Sequence, residues 1–80
     1  MAINAYIGLK VNVKEAEKIL EELKKEEYVV QADAVTGSFD IIALLRAPDF
    51  HSLGQFIIRK IGSIPGVLDT ETFPIIEFGR

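Results

Sequence analysis

A tight turn that leads into a strand with apolar residues on both sides is encoded by Val35-Thr36-Gly37-Ser38-Phe39-Asp40-Ile41-Ile42-Ala43-Leu44-Leu45. One side of this strand is predicted to carry Phe39, Ile41, Ala43 and Leu45, and the other side Ile42 and Leu44. A half-buried strand alternates polar and apolar residues, so a continuous apolar run predicts that both faces are covered. A chain of 80 residues can hardly cover both faces, and this strand therefore predicts assembly with a second copy.

Composition places the chain among small globular proteins. Residues 1–80 are predicted to form one domain, since 80 residues lie near the lower end of what folds alone. Hydrophobic residues make up 49% of the chain, yet no apolar run approaches the ~20 residues that span a bilayer. No signal-peptide pattern follows Met1, and cysteine is absent. These features predict a cytoplasmic protein without a membrane segment or a disulfide framework.

The charge pattern argues against direct binding to nucleic acid. The net charge is −3, and Arg46, Arg59 and Arg80 are scattered, so no basic patch is predicted that would neutralise several phosphates. A high apolar fraction without a membrane segment instead suggests a surface for a protein partner.

Periodicity and turn signals predict four strands and two helices along the chain. The predicted strands are 2–11, 28–36, the apolar run from Phe39 to Pro48, and 67–78; the predicted helices are 12–27 and 49–61. Asn12 is the predicted N-cap of the first helix, with Glu15 completing a capping box. Asp49 is the predicted N-cap of the second helix. Pro74 cannot donate to a sheet ladder, so the last strand is expected at a sheet edge or with a bulge.

The order strand-helix-strand-strand-helix-strand predicts an α+β, ferredoxin-like fold with both helices on one face of a four-stranded antiparallel sheet. The first and third strands should lie in the centre, and alternation should place Val30 on the same face as Ala32. The first helix is expected to bury Ala16, Ile19, Leu20 and Leu23, and the second Phe50, Leu53, Phe56, Ile57 and Ile61. The helix-free face is expected to stack on a second copy. The predicted oligomer contacts are Phe39, Ile41, Ile42 and Leu44, with Ile58 as an exposed apolar residue on the second helix.

Catalysis has little support in the sequence. His51 is the only histidine, and no carboxylate beside it in sequence is positioned to orient it as a general base. A metal site needs several clustered ligands, so none is expected, and no cofactor motif is present. We therefore predict that the chain is not an enzyme.

A small-molecule site is suggested by the turn itself. Thr36, Gly37, Ser38 and Asp40 place hydroxyls, a flexible backbone and a carboxylate within five residues. A buried carboxylate must be paired or hydrogen-bonded. Asp40 has two equally supported interpretations at this point: it pairs with the ammonium group of a ligand, or it accepts the amides of its own turn.

Two more hydroxyls lie on the last strand. Thr70 and Thr72 fall on the same side of it and could extend such a site. A pair of threonines on a strand is also explained by β propensity alone.

These motifs resemble the effector-binding domain of the Lrp/AsnC (feast/famine) transcriptional regulators, called RAM for regulation of amino acid metabolism. The resemblance is carried by Thr36-Gly37-Ser38-Phe39-Asp40-Ile41-Ile42 and by Ile64-Pro65-Gly66-Val67 followed by Thr70-Glu71-Thr72. It covers essentially the whole chain. Full-length members add an N-terminal helix-turn-helix of roughly sixty residues, so the chain is expected to be a stand-alone RAM protein.

The resemblance implies sheet-to-sheet dimers that associate further, often into an octameric ring, with an amino acid bound in clefts between dimers. By position, Thr36, Gly37, Ser38 and Asp40 would hold the amino and carboxylate groups of the ligand, with Thr70 and Thr72 near the same cleft. Ser38 stands where many members have an acidic residue and Phe39 where tyrosine is common, and both departures bear on which ligand is bound. The implied function is an amino-acid-sensing module that binds no DNA itself and acts on transcription indirectly, including through full-length Lrp/AsnC regulators.

Two alternatives remain open on the sequence. An ACT-type effector domain also binds amino acids at interfaces, but typically at the first strand–helix connection, and Val11-Asn12-Val13 lacks the glycine that such a site favours. A small dimeric ferredoxin-like enzyme, of the cofactor-free monooxygenase or isomerase type, would need a cavity in each subunit and His51 or Asp40 as its base.

Overall fold

The computed structural model describes residues 2–79, so Met1 and Arg80 of the predicted domain lie outside it. The elements are β1 (Ile3–Val11), a 3-10 turn (Val13–Glu15), α1 (Ala16–Lys24), β2 (Val29–Ala34), β3 (Ile41–Ala47), α2 (Phe50–Gln55), a π-helical turn (Phe56–Lys60), a second 3-10 turn (Ile61–Ser63) and β4 (Val67–Pro74). The strands form one antiparallel sheet in the order β2-β3-β1-β4. The predicted ferredoxin-like arrangement, with the first and third strands in the centre, is confirmed.

The hydrophobic core lies between the helices and one face of the sheet. The buried strand residues are Ala5, Ile7, Leu9 and Val11 of β1, Ala32 of β2, and Ile41, Ala43, Leu45 and Ala47 of β3. The buried helical residues are Ile19, Leu23, Leu53, Phe56 and Ile61. Ile41 is 0% exposed within the subunit, so its predicted place in an oligomer interface is wrong: alternation directs its side chain to the helices.

The start of the first helical segment is held by the loop before β4. The Asn12 side chain accepts the Lys14 N–H at 3.0 Å, as expected of an N-cap. The Asn12 N–H donates to the Gly66 carbonyl oxygen at 2.7 Å, so the predicted reciprocal capping box with Glu15 is wrong. Gly66 has φ +97°, and a β-carbon there would lie 2.7 Å from Cβ of Glu15, which explains why this turn contains glycine.

A bulge in β2 changes which of its residues point to the core. Val29 pairs with Leu45 and Gln31 with Leu44, so Val30 is an extra residue in the ladder. Val30 is 58% exposed, and the predicted simple alternation that placed it with Ala32 is wrong. A bulge lets two residues of one strand oppose one of its neighbour, which shifts every later side chain by one position.

The edge position of the last strand is confirmed. β4 lies at the end of the sheet beside β1, and Pro74 pairs with Ala5 at the end of this strand. A register shift leaves Leu68 between Val67 and Asp69 without a partner in β1, and Leu68 is 70% exposed. The edge strand therefore contains both features that its proline suggested, in different places.

The second helix is less regular than its sequence predicts. A π-helical turn follows α2 directly, and its wider spacing interrupts the 3.6-residue period. Leu53, Phe56 and Ile61 are buried, whereas Phe50 is 60% exposed and Ile57 is only half-buried. The predicted burial of Phe50 is therefore wrong.

Asp49 begins α2 as predicted. Its Oδ1 accepts the Ser52 N–H at 2.7 Å. Hydrogen bonds from the Ser52 backbone and then from its side chain hold the pKa of the Asp49 carboxyl below its ordinary value of 3.8. Because the folded-state pKa is depressed, the stabilisation from the ionised cap is complete above the unfolded-state pKa and is lost as pH falls through the folded-state value.

Replacing Asp49 with asparagine is expected to remove this pH dependence. Asparagine keeps an acceptor for the Ser52 N–H but does not titrate. Urea unfolding of both proteins should show the wild type more stable at about pH 7, with a smaller difference at about pH 2, because protonation of Asp49 removes the contribution of its charge. A difference that is the same at both pH values would show that the charge of Asp49 does not contribute.

Candidate functional site

One face of the sheet is free of helices in the described part of the chain. Its outward residues form rows across the strands, namely Gln31, Leu44, Tyr6 and Phe73, and beside them Asp33, Ile42, Gly8 and Glu71. These residues, together with Lys10 and Phe39, are called the open face. Its centre is apolar and its two edge strands carry the acids, which is the pattern of a protein-contact surface with a polar rim.

Two of the three aromatic residues of the open face remain exposed in the single subunit. Tyr6 is 45% and Phe73 is 41% exposed, while Ile42 and Leu44 are half-buried. Contiguous apolar surface of this kind is typical of interaction sites. Ile58, the remaining predicted contact, is 73% exposed but lies on the helical side of the subunit.

Phe39 belongs to the open face rather than to the core side of β3. Its ring lies against Gly8, where an added β-carbon would be 2.7 Å from the ring carbons, and it packs edge-on against Phe73 at 6.1 Å between ring centroids. The prediction that Phe39 shares a side with Ile41 is wrong, because β3 begins only at Ile41 and the chain before it has not yet entered the sheet.

The turn, residues Thr36–Asp40, projects from the end of the sheet beside this face. Thr36, Gly37 and Ser38 are exposed, and Gly37 adopts φ +119°, a conformation that side-chain-bearing residues rarely take. The turn is closed by the Val35 N–H, which donates to the Asp40 carbonyl oxygen at 2.9 Å. Hydroxyls of Thr36 and Ser38 are thus presented to solvent on a short, tightly closed loop.

Asp40 ties the turn to β1. Its Oδ2 accepts the Val11 N–H at 2.9 Å, and its own N–H donates to the Leu9 carbonyl oxygen at 2.8 Å. The interpretation that Asp40 accepts the amides of its own turn is therefore wrong. Among the described residues its Oδ1 has no hydrogen-bond donor, so the half-buried carboxylate keeps one oxygen for another group.

The two predicted threonines lie apart from the turn within one subunit. Thr70 pairs with Leu9 and Thr72 with Ile7, whose side chains point to the helices. Both threonines are half-buried on the helix-covered face, and β1 separates β4 from β3. The subunit therefore holds the predicted ligand-binding residues as two groups, the turn with Asp40 on one side of β1 and the threonines on the other.

A cleft of about 430 Å³ lies between the end of α1 and the second helix, away from the predicted ligand residues. It is lined by Glu26, Glu27, Tyr28, His51, Ser52, Gln55, Phe56, Arg59 and Lys60. The rings of Tyr28 and Phe56 pack 5.2 Å apart between centroids. Sequence reasoning missed this cleft because its walls come from segments more than twenty residues apart, with no local motif.

The cleft contains His51, one of the two residues, with Asp40, that the alternative enzyme interpretation names as a base. His51 is exposed, and the acid beside it in sequence, Asp49, uses its carboxylate to cap α2. Catalysis by a histidine needs a partner that orients it.

Across residues 2–79 no cluster of metal-ligating side chains is found, and no helix there has the length and apolar character to cross a bilayer.

Comparison with known proteins agrees with the fold. The family model of the Lrp/AsnC ligand binding domain matches residues 4–78. An HTH-type transcriptional regulator of Pyrococcus horikoshii, described as uncharacterized, is 33% identical over 70 residues, which are 88% of this chain and 44% of that protein. The chain thus spans about half the length of the curated relatives it matches.

Solved structures share the whole architecture. A protein of Thermus thermophilus superimposes with a TM-score of 0.90 and 26% identity over 98% of both chains. A transcriptional regulator of Neisseria meningitidis, solved as a complex with L-Met, has a TM-score of 0.85 and 21% identity over 94% of this chain and 50% of that chain. The second likeness concerns the fold alone.

Proposed function

This chain belongs to the family of Lrp/AsnC ligand-binding domains, and on that premise we propose that it senses an amino acid through self-assembly and acts on transcription indirectly. The observation that carries the proposal is the position of the Thr36–Asp40 turn beside the open face. A ligand bound at this turn would lie next to a surface suited to a second copy. Because the family model that matches this chain is the Lrp/AsnC ligand binding domain, the ACT-type alternative is set aside.

The ligand is proposed to be held by Thr36, Gly37, Ser38 and Asp40. The support is chemical: a carboxylate oxygen of Asp40 is available for an ammonium group, and the exposed hydroxyls with the turn backbone suit a carboxylate. Thr70 and Thr72 lie across β1 in the same subunit, so they join this site only if a neighbouring copy supplies them.

Assembly is proposed to begin with two open faces stacking, which buries Phe39, Ile42 and Leu44. Dimers would then associate into a larger ring such as an octamer, with Ile58 as an additional contact. A ligand bound between dimers stabilises the assembly that contains the complete site, because binding to one state shifts the equilibrium toward it.

The regulatory role is proposed to work through other chains in the cytoplasm. The curated relatives carry names of transcriptional regulators, which supports regulation rather than catalysis. A net charge of −3 without a basic patch disfavours phosphate contacts by these residues. Co-assembly with full-length Lrp/AsnC regulators would supply the contact with DNA.

Molar mass measured by light scattering, with and without each of the twenty amino acids, tests this function. L-methionine is the first to use, given the complex of the Neisseria meningitidis neighbour. We expect one or a few amino acids to shift the mass between a dimer and a larger ring. A mass indifferent to all twenty, together with no heat of binding in calorimetry, would contradict the proposal.

A further inference from the structure

Three consecutive attachments fasten the end of the turn to β1. The Phe39 ring lies on Gly8, the Asp40 N–H donates to the Leu9 carbonyl oxygen, and the Asp40 carboxylate accepts the Val11 N–H. The first is apolar and the other two are polar. Two residues of the loop thus contact a four-residue segment of the central strand.

The Phe39 ring can pack against β1 at this position only because Gly8 has no side chain. A β-carbon at Gly8 would meet three ring atoms at 2.7 to 2.9 Å, closer than van der Waals contact allows. Gly8 sits in the interior of a strand, where glycine costs stability and often marks the close approach of another group. The interplanar angle of 79° with Phe73 adds an edge-to-face contact that favours the same ring position.

Without this ring the turn has few contacts of its own. Thr36, Gly37 and Ser38 are exposed, and nothing lies within 4 Å of a β-carbon built on Gly37. Such a loop would sample many conformations, and a ligand would have to order it at an entropic cost. Phe39 is the one large apolar side chain among residues 36–40, so its ring is the apolar anchor that limits this motion together with the two hydrogen bonds of Asp40.

We propose that Phe39, seated on Gly8, is the positioning residue of the ligand-binding turn and couples its order to the open face. This inference rests on the proposed function. The ring is itself part of the open face, so a second copy stacked there holds the ring down and orders the turn. By linkage, a ligand that orders the turn favours the dimer by the same factor.

The first test is amide hydrogen exchange of the protein without any ligand, in the wild type and in Gly8→Ala. The new methyl group displaces the ring, so exchange at the Asp40 and Val11 amides should accelerate about tenfold or more, while the core amide of Leu45 keeps its rate. Gly54→Ala is the matched control, because nothing lies within 4 Å of a β-carbon at Gly54; its Asp40 and Val11 rates should be those of the wild type.

Two substitutions of the ring itself keep the test decisive if Gly8→Ala loosens the whole fold. Phe39→Ala removes the ring without a clash and should accelerate the same two amides, whereas Phe39→Tyr retains the ring and should restore wild-type exchange. Wild-type exchange at Asp40 and Val11 in Phe39→Ala, or acceleration equal to that of Leu45, would overturn the inference.

A second measurement links the ring to binding. For any amino acid that the mass screen identifies, Phe39→Ala should raise the Kd about tenfold, and the control Gly54→Ala on α2 should leave it unchanged; an unchanged Kd in Phe39→Ala would overturn the positioning role. The exchange result does not depend on a ligand. A screen without any ligand would therefore contradict the proposed function, while the exchange rates would still decide whether Phe39 orders the turn.

Discussion

Asp40→Asn is expected to weaken amino-acid binding about ten- to a hundredfold while leaving the fold intact, since a hydrogen bond to a charged group contributes about 1.5–3 kcal/mol. The asparagine Oδ1 replaces the acceptor that holds the Val11 N–H. The neutral amide offers no charge to the ammonium group of a ligand. Isothermal titration calorimetry with the amino acid that shifts the mass measures the effect.

Asp40→Ala is the companion variant that removes both roles. It leaves the part-buried Val11 N–H without its acceptor, which should lower the free energy of unfolding by about 1–3 kcal/mol. Urea unfolding separates the two variants: Asp40→Asn should unfold like the wild type and Asp40→Ala at lower urea. Wild-type affinity in Asp40→Asn would remove the Asp40 charge from the ligand site and leave its carboxylate a purely structural acceptor.

Ile42→Glu is expected to raise the dissociation constant of the dimer by a hundredfold or more. Ile42 lies on a central strand of the open face, in one row with Asp33 and Glu71. A glutamate there would be buried by a second copy without a partner charge, at a cost of about 3–5 kcal/mol, and it would stand beside Asp33 of the neighbouring strand. Sedimentation or light scattering over a dilution series should show the monomer at concentrations where the wild type is a dimer.

Ile58→Glu is the matched control for this substitution. It makes the same change at an exposed isoleucine on the helical side of the subunit. The dimer should persist in this variant, and only an association larger than the dimer should be lost. If Ile42→Glu keeps the wild-type mass, the open face is not the dimer interface, whatever Ile58→Glu does.

Much of the fold could be predicted because local periodicity and turn residues determine it. The element order, the central place of β1 and β3, the Asp49 cap and the edge position of the proline-containing strand all follow from short-range patterns. Two errors fall where a regular pattern is interrupted or begins. Simple alternation predicts Val30 on the face of Ala32, but a bulge displaces it. A 3.6-residue period predicts that Phe50 is buried, but Phe50 is the first residue of α2 and is exposed.

The candidate site likewise combines residues that the sequence could identify with contacts that it could not. Sequence alone identified the Thr36–Asp40 turn, because glycine, hydroxyls and a carboxylate cluster within a few residues, and it identified a sheet too apolar for one chain to cover. The partners of these residues needed the tertiary structure. The Val11 N–H that Asp40 accepts is 29 positions away, and the Phe39 ring has its seat on Gly8 of another strand. Such contacts depend on strand register and on where a loop enters the sheet, which are set by packing of the whole chain and not by neighbours in sequence.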